Sequence, residues 1–219
     1  MFGVFYRVND WMETLFDYES WQSHKFRMVQ DESKVSRDMQ EYSDPVKRTS
    51  FYWNRQDVAG RGYSEVKRFT EIPPLTQDSL SQMYYLRALP LKDGDVYQFS
   101  TIGEGRILET SVKVLGREKF RGPNGEVMAI KVMPEAHYQG ILKKAGNSFM
   151  WFTDDDRRIL LKFEAKVKIG AVTANLREFV PGSGPIVDDS TTKSAIKPLP
   201  QSDEKIRSAE ARADSSYYR

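Results

Sequence analysis

The sequence predicts a mainly β protein: a curved, half-barrel-like antiparallel sheet with one short helix packed on it and a disordered C-terminal tail. Three observations predict it. Apolar and polar residues alternate with period two in several stretches, Gly-, Asn- and Asp-containing turn signals separate those stretches, and one stretch alone changes to helical spacing.

In chain order, RTSFYWNRQ and RGYSEVKRF read as a strand pair joined across Asp57 to Gly60. In PPLTQDSLSQMYYLRALPL, Asp78 or Ser79 can cap a helix. Leu80, Met83, Tyr84 and Arg87 follow at three- and four-residue spacing, and Pro90 ends the run. Leu80, Met83 and Tyr84 form the stripe expected to lie on the sheet. Asp93-Gly94-Asp95 and Gly103-Glu104-Gly105 mark turns. RILETSVKVLG places Leu108, Thr110, Val112 and Val114 on one side, and EVMAIKVMP does the same with Met128, Ile130 and Val132. Between them Asn124-Gly125 suits a tight hairpin, because both residues tolerate positive φ. In LLKFEAKVKIG, Leu161, Phe163, Ala165, Val167 and Ile169 alternate with charged residues, the mark of a strand with one wet face. Residues 1–180 make one antiparallel β domain. From Pro181 to Arg219 the chain is rich in Ser, Pro and mixed charge and buries too little apolar surface to offset its ordering entropy.

Composition excludes several function classes. Lys+Arg 33 against Asp+Glu 31 leaves a formal charge of +2, too small a field to draw the chain to nucleic acid. Without cysteine there is no disulfide, no thiol nucleophile and no Cys-ligated metal or cluster. No apolar run approaches the roughly 20 residues of a membrane-spanning helix, and the N-terminal stretch lacks the basic and apolar regions of a signal peptide. No cofactor is implied.

WFTDDDRRIL looks at first like a catalytic or metal-binding cluster. Asp154, Asp155 and Asp156 are neighbours in one loop, however, and do not converge on a point as the oxygen ligands of a hard cation must. Asp favours turns, Arg157 and Arg158 stand by to neutralise it, and strands flank the run, so a hairpin corner is expected rather than a metal site. His24 and His137, the two histidines, have no local partner that would make either a base. Gly60-Arg61-Gly62 does not join a strand to a helix and so cradles no phosphate. Trp11, Trp21, Trp53 and Trp151 read as core more readily than as cavity lining. GNSFMWFT is different, because Phe149 and Trp151 point to one strand face and Met150 and Phe152 to the other, so something must cover both. The helix, a curled part of the sheet, another segment or an apolar ligand would serve. If a ligand does, Trp53, Tyr84, Met150, Trp151 and Phe152 are the groove candidates.

IPPLTQDSLSQMYYLRALPLKDGD, then VKVLGREKF with a Gly-containing hairpin and AIKVMP, and finally MWFTDDDRRILLKFEAKVKIGAVTANL together resemble the bacterial family catalogued as domain of unknown function 3108. The resemblance spans about residues 4 to 180. It implies a mainly β, exported protein of the cell envelope, with no established activity. It marks Asp78, Arg87, Asp155, Arg158 and Gly170 as motif residues of structural character. Leu160 stands where the family often has proline, and residues beyond Val180 lie outside the resemblance. The family typically opens with a signal peptide and two further strands. The expectation is therefore a domain lacking the family's first strands, with a longer, exported product; were Met1 the true start, the protein would be cytoplasmic.

The expected function is that of a non-enzymatic, periplasmic or envelope protein holding an apolar ligand or a lipidated partner in a curved sheet. The alternative is a scaffold that binds another envelope protein along a sheet edge. An enzyme using Asp155 and Arg158 ranks last, for want of a nucleophile–base pair.

Overall fold

The computed structural model describes residues 7–138, 141–142, 148–166 and 171–180. Five strands, β1 (Trp11–Asp17), β2 (Gln22–Glu32), β3 (Val35–Asp44), β4 (Thr49–Val58) and β5 (Gly62–Glu71), form one antiparallel sheet in sequence order. After the helix α1 (Ser81–Ala88) come β6 (Val96–Gly103), β7 (Arg106–Gly122), β8 (Gly125–Tyr138), β9 (Ile141–Leu142), β10 (Ser148–Thr153), β11 (Leu160–Lys166) and β12 (Ala171–Asn175). They build a seven-stranded sheet in which β6, β7, β8, β10, β11 and β12 are neighbours in turn and β9 pairs with β8. Among the described residues the protein is thus mostly antiparallel β with one short helix, as the periodicity predicts, but its strands divide into two sheets. Neither sheet closes among the described residues. Val167, Ile169, Gly170 and the tail from Pro181 lie outside the described residues.

Turn chemistry sets the reversals. Glu104 and Gly105 both have positive φ (55° and 67°) and join β6 to β7 as the two central residues of a hairpin, the backbone twist that favours paired strands. The β7–β8 reversal corrects the sequence expectation by one residue. Pro123 and Asn124 are its central pair, Gly122 faces Gly125, and only Gly125 has positive φ (114°). Proline fixes φ near −65°, so the left-handed residue must follow the turn.

The main core joins Tyr85, Leu86 and Leu89 of the helix segment to Phe99, Val112, Val114, Ile130, Val132, Met150 and Phe152 of the larger sheet. The predicted helix stripe is therefore rotated. The helix buries Ser81, Tyr85 and Leu86, while Tyr84 is 47% exposed. The cause is that α1 contacts both sheets: Leu80 packs against Phe26, Met39 and Tyr52 of the smaller one, and Met83 against the main core.

Both faces of β10 are covered by the protein itself. Met150 and Phe152 lie in the main core with the helix segment. On the other face Trp151 and Phe149 pack with Ala129, Leu161, Phe120, Val127 and Leu176. A bulge between Val114 and Gly116 (φ 131°) shifts the β7–β8 register, and beyond it Phe120 and Val127 pack on that face.

Candidate functional site

The five groove candidates do not share a surface. Trp53 stands on the outer face of β4, its Nε1 donating to Glu65 at 2.9 Å with Arg55 and Lys67 over its ring. Tyr84 stacks on Phe16. Met150 and Phe152, 2% and 0% exposed, are core. Trp151 lies on the opposite face of β10 between Lys131 and Lys162, and its Nε1 donates to Glu118 at 2.6 Å. Neighbouring residues of a strand point to opposite sides, so Trp151 cannot line a groove with Met150 and Phe152.

The motif residues hold the fold together. Asp78, 2% exposed, uses one carboxylate oxygen to accept from the N–H groups of Leu80 and Ser81 at 2.7 and 2.8 Å, and the Ser81 hydroxyl accepts from its own N–H. This reciprocal cap fixes the turn that leads into α1. The other oxygen accepts from Thr14 at 2.5 Å and from Ser23, tying the helix to β1 and β2. At the helix's other end, Arg87 donates to the Arg157 carbonyl at 2.8 Å and Arg158 to the Pro90 carbonyl at 3.1 Å. Asp155 organises that β10–β11 corner by accepting from Thr153, from the backbone of Arg157 and Arg158, and from the Arg157 side chain. Burial opposes its ionisation, but the Thr153 and Arg157 hydrogen bonds outweigh it and hold the carboxyl below the usual range. Asp154 pairs with Arg117 at 2.8 Å. The acid run is a hairpin corner whose carboxylates diverge. Gly170 lies outside the described residues, as does the His137 side chain.

Sequence reasoning missed a polar seam on the inner face of the smaller sheet. Thr14, Phe26, Glu41, Tyr52 and Arg68 form one cross-strand row. Against it docks the β6–β7 turn: Arg68 donates to the Glu104 carbonyl at 3.0 Å, Thr70 to the Gly105 carbonyl at 2.7 Å, and Arg37 to the Glu104 side chain at 2.8 Å. Glu41, 2% exposed, accepts from Ser50 at 3.1 Å and from the Gly105 backbone. Burial pushes its carboxyl up to about 7, with Ser50 and Gly105 pulling it down and the Asp78 and Glu104 charges adding to the rise. A carboxyl sealed this way can hold a proton near neutrality.

What remains open to solvent is strand edge. β5 and β12 each pair with one neighbour among the described residues, and all five residues of β12 are exposed. A depression of about 370 Å³ at one end of the smaller sheet is lined by charged and polar groups, Arg37, Asp38, Arg55 and Asp57 among them. No group of His, Asp or Glu side chains among the described residues is placed to hold a metal ion. Among them, too, no helix is long and apolar enough to cross a membrane.

Fold and site together define an open, two-sheet antiparallel β protein whose helix among the described residues packs against both sheets, with the buried carboxylates of Asp78 and Glu41 engaged by its own donors. The chain belongs to the protein family of unknown function DUF3108, whose sequence profile matches residues 1–177. It is also similar to the beta-barrel-like protein of domain of unknown function DUF1849 from Brucella abortus, known from a crystal structure. That likeness has a TM-score of 0.41 at 8% identity and covers 78% of this chain and 86% of that one. No curated protein matches the chain.

Proposed function

We propose that the protein is a non-catalytic module of the cell envelope that binds another envelope protein by strand addition to the β12 edge of its seven-stranded sheet. The observation that carries this reading is β12. Its sequence, AVTAN, presents five exposed residues with no charge and no proline at a sheet edge. Sheets ordinarily guard such an edge with charge, proline or a covering segment, because unpaired N–H and C=O groups recruit other strands. The envelope location is part of the proposal and rests on the family resemblance alone. The non-catalytic reading is supported by the buried carboxylates, since Asp78 and Glu41 are each engaged by donors of the fold. An apolar ligand or lipid bound in the sheet would have to displace Met150 and Phe152 from a filled core, which weighs against the carrier alternative.

Native mass spectrometry of the protein purified from its own host tests the reading. A stoichiometric protein partner is expected. It should be lost when proline replaces Val172 or Thr173, since one of these neighbouring residues presents its N–H to the open side. A co-purifying lipid without a protein, or a partner retained by both proline variants, would overturn it.

A further inference from the structure

An edge of the smaller sheet, β5, carries a different message, and it lies on the other sheet from β12, so it stands whether or not the partner reading above holds. This strand is ten residues long and pairs with β4 alone among the described residues. Its outer side chains are wet: Tyr63 is 64% and Phe69 79% exposed. Long exposed edges favour pairing, and which partner they accept is set by the side chains that come to lie opposite one another.

We infer that β5 pairs with β5 of a second copy of this chain, antiparallel and centred on Val66, joining two five-stranded sheets into one. In that register Val66 meets its own symmetry mate, Glu65 meets Lys67, and Tyr63 meets Phe69. Every outward pair is thus aromatic with aromatic or acid with base, the cross-strand combinations that stabilise antiparallel sheets. Glu65 and Lys67 already contact each other within the strand at 2.7 Å, so the two copies would close an alternating quartet of charges at the twofold axis.

Neighbouring registers fail on the same grounds. Centring on Glu65 sets that carboxylate against its own copy, and centring on Lys67 sets two ammonium groups together, both unfavourable for directly opposed residues. A register centred between residues would turn the partner's sheet over and set its polar inner face beside this one's outer face. The charges that guard the edge against foreign strands therefore select one alignment with its own kind.

The chain has no cysteine, which makes a single introduced thiol diagnostic. Val66→Cys in the full chain should oxidise to a disulfide-linked dimer. Residues directly opposed across an antiparallel pair have Cα atoms about 4.5–5.5 Å apart, within the range a disulfide spans. Ser64→Cys lies on the same face but opposite Arg68, and should stay monomeric on a non-reducing gel. In sedimentation without cross-links the parent should dimerise with rising concentration. Lys67→Glu should weaken that association about tenfold by opposing two acids on each side, and the double exchange Glu65→Lys with Lys67→Glu should restore it to within a few-fold. All these positions are on an exposed strand, and a circular dichroism spectrum matching the parent verifies that each variant is folded. A parent that stays monomeric at all concentrations, equal cross-linking at positions 64 and 66, or a double exchange as weak as the single one would each overturn the proposal.

Discussion

Arg158 reaches from the β10–β11 corner to the carbonyl of Pro90, donating to it at 3.1 Å just beyond the end of α1. In return Arg87 of the helix donates to the Arg157 carbonyl in that corner. The two segments that most strongly carry the family resemblance thus hold each other through both arginines.

Replacing Arg158 by alanine should lower stability by about 1–3 kcal/mol, the range for losing a charged hydrogen bond made by a half-buried guanidinium. For the parent and for the variant alike, the melt in chelator should match the melt in millimolar calcium. A calcium-dependent melt in the parent that the variant lacks would reinstate the corner as a metal site.

Asp78→Ala removes the helix cap and leaves the buried Ser23 hydroxyl without its acceptor, for an expected loss of about 2–4 kcal/mol in chemical denaturation. Ser79 is exposed, and its alanine variant should differ from the parent by less than about 0.5 kcal/mol. Equal effects at the two positions would contradict the assignment of the cap to Asp78.

Glu41 makes stability depend on pH in an unusual direction. With its folded carboxyl raised to about 7 from an ordinary 4.5, the native state holds a proton that the unfolded chain has released. Between those values stability should therefore fall as pH rises, and level off above them. Glu41→Gln abolishes that slope and should raise stability at pH 8 by on the order of 2–3 kcal/mol relative to the parent. Denaturant titrations at pH 5 and pH 8 check it, and the two proteins should come together at the lower pH.

At Gly105 the backbone has φ +67°, and an added Cβ would sit 2.9 Å from Cβ of Tyr52 and 3.0 Å from the Arg68 side chain. Gly105→Ala should thus cost about 2–3 kcal/mol, combining left-handed strain with overpacking. Gly94→Ala is the control. It has a similar φ of +83° with nothing near its Cβ position, so it should show the strain alone and unfold later than Gly105→Ala.

The hairpins from Arg106 onward were legible because one side of each strand is wet and period two survives in the sequence. The cap at Asp78 was legible for a local reason as well, since its partners lie within three residues. β1, β2 and β3 left no such trace. The register between β1 and β2 shifts near Leu15 and Phe16, so Ser23 and Phe26 are both buried although three residues apart. The inward face of this sheet also carries Glu41 of β3 and Ser50 and Asn54 of β4, which read as surface residues. Glu41 gave no local signal at all, because its burial comes from the turn at Gly105, distant in the chain. Trp53 and Trp151 were drawn into one groove by their size. That Trp151 faces away from Met150 and Phe152 follows from strand alternation alone.

The strand order in both sheets runs with the chain, so nearly every ladder joins sequence neighbours. Antiparallel proteins usually refold slowly because distant segments must find each other before any contact rewards the loop that was closed. Here each hairpin can zip onto the one before it, and the long-range steps reduce to a few dockings: the turn at Glu104 onto the smaller sheet, and the helix into its two clasps. Refolding should accordingly be fast for an all-β chain of this length, with formation of the Asp78 and Glu41 contacts as its late event.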